Sequence, residues 1–178
     1  PLEITCNDTT ASVGPDGSVT IDPADVATAT GGVAPVTVTL DMDTFGCDDI
    51  ESPYTVTATA TDADGTTAEC TAVVTVVDEL GPVVECMDVT VELVDGTATI
   101  TAADVYAGAT DNCSETVSDP TLSQDTFTEA GTYTVTVTVT DEYGNEGSCD
   151  ATVTVESGVE PLEITCNDTT ASVGPDGS

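Results

Sequence analysis

The sequence predicts an all-β chain arranged as tandem β-sandwiches. Three observations carry that prediction. Apolar and polar residues alternate strictly in several stretches. Turn residues recur at short intervals between those stretches. The chain also repeats itself: Pro1–Ser18 and Pro161–Ser178 are identical, letter for letter, 160 positions apart. Identity at a fixed period marks a repeat architecture, so the expected object is a link in a longer array, with 161–178 opening the next copy.

The period divides again. Cys6 matches Cys86, Ala24-Asp25-Val26 matches Ala103-Asp104-Val105, and Asp43-Thr44-Phe45 matches Asp125-Thr126-Phe127. Tyr54-Thr55-Val56-Thr57 matches Tyr133-Thr134-Val135-Thr136, and Cys70 matches Cys149. The offsets, 79 to 82, place one domain at 1–80 and a second at 81–160. A unit of this size is small for one core but adequate if it is stapled.

In chain order, the first domain is expected to carry strands at Leu2–Thr5, Ser18–Ile21 and Val36–Leu40. It then ends in a long hairpin. Tyr54, Val56, Ala58 and Ala60 fall on one face and Thr55, Thr57 and Thr59 on the other. Period two with β-branched residues means half-buried strands. Asp62-Ala63-Asp64-Gly65 supplies the turn, and Ala72–Val77 returns. The second domain is expected to have strands at Val83–Cys86, Val89–Leu93, Thr97–Thr101 and near Val117–Leu122. Its hairpin is Tyr133–Thr140, a turn at Asp141–Asn145, then Ala151–Val155. No segment has sustained helical periodicity. Short strands separated by frequent turns indicate a β-sandwich.

Composition narrows the function. The chain has no Lys, Arg or His and 34 acidic residues, a net charge of −34. Nucleic acid needs cationic partners for its phosphates and is excluded; so is charge-driven binding to an anionic membrane. Such acidity serves solubility and self-repulsion, a reading compatible with divalent metal held at a few clusters. The 39% apolar content and the strict alternation argue against disorder. No apolar run is long enough to span a bilayer. Without His or Lys there is no base for a Ser or Cys nucleophile. The close carboxylate pairs, Asp48-Asp49 and Asp62/Asp64, need no role beyond that of solvated turn residues. The chain is read as non-enzymatic.

Seven cysteines in such a chain suggest an oxidising compartment. Cys6 and Cys70 stand near the first and last strands of the first domain, and Cys86 and Cys149 occupy the same places in the second. Bridges Cys6–Cys70 and Cys86–Cys149 would each contribute roughly 4 kcal/mol by chain entropy. Free buried thiols are the alternative; zinc is disfavoured without His or a CxxC pair. Cys166 would pair with a cysteine beyond the chain end.

The run Asp78-Glu79-Leu80-Gly81-Pro82 … Glu85-Cys86, then Thr110-Asp111-Asn112-Cys113, then Gly131–Asp141 … Gly144-Asn145 … Cys149 and Ala151–Val155 resembles the hyalin-repeat (HYR) immunoglobulin-like module. The resemblance implies tandem immunoglobulin-like sandwiches in large secreted adhesins of the Bacteroidetes type, used mostly as stalk and located at the cell surface. The expected function is a structural repeat of a long extracellular adhesin or fibre. Neighbouring repeats of the same chain are its expected partners, with neighbouring fibres or surface glycans as further candidates. A glycan- or protein-binding module and a laterally assembling filament subunit are the alternatives. The scarcity of aromatic residues (no Trp, two Phe, four Tyr) disfavours a glycan platform. Direct membrane insertion is not expected.

In a sandwich of this kind the chain enters at the end carrying the B–C and F–G loops. Asp78 and Glu79 of the linker should therefore meet Asp111 and Asn112 of one loop and Asp141 of the other. Converging carboxylates and an amide oxygen suit calcium. At the next junction Ser157 replaces Asp78, and Gly31-Gly32 falls where Asp111-Asn112 would, so calcium should bind weakly there or not at all. The same topology puts Cys47 at the exit end of the first domain and Cys113 at the entry end of the second. The expectation is a Cys47–Cys113 disulfide across the junction, against an inter-chain bridge or free thiols. Thr9, in Asp8-Thr9-Thr10, is similar to the O-glycosylation motif of Bacteroidetes. Asn7-Asp8-Thr9 and Asn112-Cys113-Ser114 match the N-glycan sequon.

Overall fold

The structure is a computed structural model that describes residues 1–158. The expected start of a further copy at 161–178, with Cys166, lies outside the described residues.

The first half contains β1 (Glu3–Cys6), β2 (Thr9–Ser12), β3 (Ser18–Thr20), a helical turn α1 (Pro23–Val26), β4 (Ala27–Thr30), β5 (Thr37–Leu40), β6 (Thr44–Gly46), a 3₁₀ turn (Cys47–Asp49), β7 (Pro53–Thr61) and β8 (Thr67–Val77). One sheet has the order β2-β8-β7-β5; β1-β4 and β3-β6 form the opposing layer. The second half repeats the plan with β9 (Val83–Cys86), β10 (Val89–Glu92), β11 (Ala98–Thr99), α2 (Ala102–Val105), β12 (Tyr106–Thr110), β13 (Thr121–Leu122), β14 (Thr126–Phe127), β15 (Gly131–Thr140) and β16 (Glu146–Glu156). Its sheet order is β10-β16-β15-β13, faced by β9-β12 and β11-β14. The result is two all-β sandwiches in series.

The two hairpins are the alternating stretches. Val56, Ala58 and Ala60 of β7, with Ala72, Val74 and Val76 of β8, are buried, and so are Val135, Val137, Val139, Ala151, Val153 and Val155 of β15 and β16. Their threonine neighbours face outward, as the two-residue period of a strand requires. Each half has its own core. One gathers Val13, Val26, Phe45, Val56 and Val74, and the other Ile100, Val105, Phe127, Val135 and Val153. Phe45 packs on Tyr54 with ring centroids 5.5 Å apart, and Phe127 on Tyr133 at 4.7 Å. The aromatic residues at matched positions thus belong to the cores, each Phe buried and each Tyr half-buried against it.

Several short elements differ from expectation. Ala24–Val26 and Ala103–Val105, matched between the halves, form one helical turn each and send Val26 and Val105 into the cores. Asp22 caps the first by accepting from Ala24 N at 2.8 Å; in the second, Asp104 accepts from Thr101 N at 2.7 Å. A single turn is too short to show helical periodicity. β2 pairs in parallel with β8, as β10 does with β16. β4, β6, β12 and β14 complete the smaller sheets, whereas the strand expected over Val117–Leu122 pairs only at Thr121–Leu122.

Candidate metal centre

All three expected disulfide pairs are joined. Cys6 of β1 bridges to Cys70 of β8, and Cys86 of β9 to Cys149 of β16, with Cα atoms 5.8 Å apart in each pair. Each bridge ties the smaller layer of its sandwich to the hairpin sheet. Cys47 and Cys113, 66 residues apart, are joined with Cα atoms 5.2 Å apart. Cys47 opens the 3₁₀ turn that follows β6, and Cys113 lies in the loop after β12, so this third bridge crosses from one sandwich to the other.

The loop after β12 docks into the first sandwich around that bridge. Asn112 Nδ2 donates to Gly14 O at 3.3 Å and to Asp78 Oδ1 at 3.2 Å. Asn112 O lies 3.3 Å from Cys47 Sγ. Gly17, at φ 76°, lies under the same loop: a Cβ there would come within 3.3 Å of both Asn112 O and Cys47 Sγ. The Gly14–Gly17 turn is part of the stretch the sequence repeats, and its docking role was not anticipated. The linker between the sandwiches runs equally close to β16. A Cβ on Gly81 would collide with Glu146 O, and one on Gly147 with Pro82 O.

This packing brings three carboxylates together. One oxygen each from Asp78, Asp111 and Asp141 lies within 4.8 Å of the others. Asp78 directly follows β8, Asp111 follows β12, and Asp141 begins the turn between β15 and β16. Each is anchored by local donors. Asp78 Oδ1 accepts from Leu80 N at 3.1 Å, in addition to Asn112 Nδ2. Asp111 Oδ2 accepts from Cys113 N at 3.0 Å and Ser114 N at 2.8 Å. Asp141 Oδ1 accepts from Tyr143 N at 2.9 Å and Asn145 N at 2.7 Å. The remaining oxygens of two of them, Asp78 Oδ2 and Asp111 Oδ1, are buried and have no hydrogen-bond partner. Asp78 is only 6% exposed.

An unpartnered buried carboxylate oxygen is costly, and nothing in the sequence offers a Lys, Arg or His to relieve it. Three like charges at this spacing repel by roughly 3 kcal/mol per pair at an effective dielectric of about 20. A divalent cation answers both problems. Calcium binds oxygens at about 2.3–2.6 Å, so oxygens around one ion stand up to about 5 Å apart, in keeping with the 4.8 Å limit here. The residues present fit calcium. Beside the cluster lies a cleft of about 310 Å³ lined by Pro15, Leu80, Val83, Thr110, Asp111 and Asn112.

Of the other expected ligands, Asn112 reaches the cluster through its Nδ2, a donor to Asp78 Oδ1, rather than through the expected amide oxygen, whereas Glu79 is exposed and stands outside it. Asn145, which sequence reasoning did not single out, links two of the acids: its Nδ2 donates to Asp141 Oδ2 at 2.8 Å and to Asp78 O at 3.2 Å. At the entry end of the first sandwich Asp62 holds the equivalent position. Its Oδ1 accepts from Asp64 N at 3.1 Å and Thr66 N at 2.8 Å, and its Oδ2 from Val33 N at 3.1 Å. Gly31 and Gly32 bring no side-chain oxygen to it. Thr9 is half-buried in β2, opposite Val74, while Thr10 beside it is exposed.

Residues 77–155 match the family model of the HYR domain, a stretch that takes in Asp78 and nearly all of the second sandwich. No curated protein matches the sequence. Among solved structures, the chain is similar to an I-band fragment of titin, with 12% identity and a TM-score of 0.35 over 88% of this chain and 66% of that one. It is similar to the protocadherin fragment PcdhgB3 EC1-4, with 14% identity and a TM-score of 0.33 over 89% of this chain and 50% of that one. It is also similar to human protocadherin-24 EC1-2, with 8% identity and a TM-score of 0.38 over 89% and 99% of the two chains. Among the described residues, no helix is long and apolar enough to cross a membrane.

Proposed function

We propose that the chain is a non-enzymatic structural repeat of a long extracellular adhesin or surface fibre. Its two domains, 1–80 and 81–160, are stiff beads, and 161–178 begins the next copy. The observation that carries this reading is the junction. A disulfide, a docked loop and three carboxylates meet at one interface, a set of fastenings that suits a stiff joint between beads. Calcium at Asp78, Asp111 and Asp141, beside Asn112, would neutralise the junction and fix the angle between the beads. Neighbouring repeats of the same chain are the principal partners. The HYR match over 77–155 and the three disulfides fit an extracellular, oxidising setting.

Small-angle scattering on the oxidised chain tests the proposal. With calcium, the distance distribution should be that of one elongated, narrowly defined particle. With chelator and a dithiol reductant, the distribution should broaden as the junction becomes a hinge. An equally broad distribution under both conditions would remove the mechanical reading. Specific retention on a glycan array would favour the binding-module alternative instead.

A further inference from the structure

We propose that the Cys47–Cys113 disulfide positions the cation site, so that cation binding and the redox state of this bridge control one another. The inference rests on the calcium reading above. The structural link is a run of three consecutive residues. Asp111 supplies a cluster oxygen, and its Oδ2 is held by Cys113 N at 3.0 Å. Asn112 lies between, with its amide on Asp78 Oδ1 and on Gly14 O of the first sandwich. Cys113 is bonded to Cys47 of the first sandwich.

The three acids do not belong to one body. Asp78 leaves the first sandwich directly after β8, whereas Asp111 and Asp141 sit on loops of the second. A cation holding all three must bring the two bodies together and keep them so. The disulfide has already imposed that closure, which raises the effective concentration of one half of the site at the other. The bridge also fixes the backbone on which Asp111 depends. The intra-sandwich bridges, Cys6–Cys70 and Cys86–Cys149, each lie within one body and impose no such closure.

Linkage makes the effect reciprocal. If closing the bridge tightens cation binding, a bound cation must make the bridge harder to reduce by the same factor. Reduction by a dithiol breaks the one S–S bond. Two electrons and two protons pass to the Sγ atoms of Cys47 and Cys113, and the dithiol is oxidised to its own disulfide. A coupling of about tenfold, within the usual range for linked sites, corresponds to about 30 mV for this two-electron couple.

The test uses the full chain and calcium itself. Calcium affinity is measured by calorimetry for the wild type and for the C47S/C113S variant, which keeps the other two bridges. The variant should bind about tenfold more weakly. In parallel, the wild type is equilibrated in dithiol buffers with and without saturating calcium, then alkylated and mapped by mass spectrometry. The Cys47–Cys113 couple should become about 30 mV harder to reduce with calcium, and the intra-sandwich couples should shift less. Affinities that agree within twofold, or a calcium-independent Cys47–Cys113 midpoint, would overturn the coupling while leaving the site intact. A flat calcium titration of the oxidised wild type would instead overturn both the site and the coupling.

Discussion

Asp62 and Asp141 occupy the same turn in the two hairpins, and the difference between them shows what single residues decide. Both accept from the backbone of their own turn through Oδ1, but Asp62 Oδ2 is taken up by the backbone amide of Val33, whereas Asp141 Oδ2 accepts from the side chain of Asn145. The backbone donors to Asp62, Val33 N foremost, hold its carboxyl below its ordinary value. A carboxylate whose folded pKa is depressed stabilises the fold fully above its unfolded pKa of about 3.9 and loses that contribution as pH falls through the folded value. Asp62→Asn should therefore melt at a lower temperature than wild type at pH 7, and the gap should narrow once pH falls below the unfolded value and through the folded one. Comparing the two proteins at each pH cancels the general relief of repulsion that acid brings to so acidic a chain. A gap constant from pH 7 to pH 2 would show that the charge of Asp62 contributes nothing. At this scale the sequence was informative where chemistry is local. Asp78 and Asp141 could be named because each follows a recognisable strand, and Asp111 because it lies in the Thr110–Cys113 run that resembles the HYR module. Glu79 could not be told from Asp78, because side chains alternate in direction at a strand end. Asn145 stayed unseen because its role exists only once the linker has passed beside it.

The long hairpins could be read where apolar and polar residues alternate, as over Tyr54–Ala60 and Tyr133–Thr140, although β8 and β16 begin at Thr67 and Glu146, ahead of the expected Ala72 and Ala151. The short elements could not. β4, with Ala27-Thr28-Ala29-Thr30, is a strand because β1 offers it an edge, and β14 is two residues long. Such pieces take their conformation from tertiary pairing, which overrides their weak intrinsic preference. The helical turns were visible as the matched Ala-Asp-Val triplets, yet only the capping by Asp22 and Asp104 says what they are. The staples that hold these short pieces matter accordingly. Removing the bridge between β9 and β16 with C86S/C149S should cost the second sandwich roughly 4 kcal/mol, comparable with the whole stability of a small domain. In chelator, calorimetry should then show two transitions, the lower belonging to the second sandwich, because each half has its own core. A single transition shifted as a whole would mean that the halves unfold as one unit.

On the scale of the whole molecule the governing quantity is the net charge of −34 with no cationic side chain anywhere. Two effects of calcium must then be separated. One is diffuse screening, which any salt supplies; the other is occupation of the junction. They differ in how they respond to ionic strength. Repulsion between exposed acids is largely screened by about 0.15 M salt, where the Debye length is about 8 Å, whereas a buried cluster is screened far less. In chelator, sodium chloride alone should raise the melting temperature and then level off. On that plateau, calcium should raise it further, by an amount set by mass action: about 2.7 kcal/mol of added stability at a hundredfold excess over the dissociation constant. Asp111→Asn should follow the wild type through the sodium chloride series and lose most of the calcium increment, since it removes one charge from the cluster but leaves the total acidity almost unchanged. Magnesium should be the weaker substitute, because it demands shorter bonds and gives up its water reluctantly. If sodium chloride alone brought the wild type to its calcium-bound melting temperature, the carboxylates at the junction would be ordinary surface acids. The disulfide and the docked loop would then fasten the two sandwiches without help from a cation.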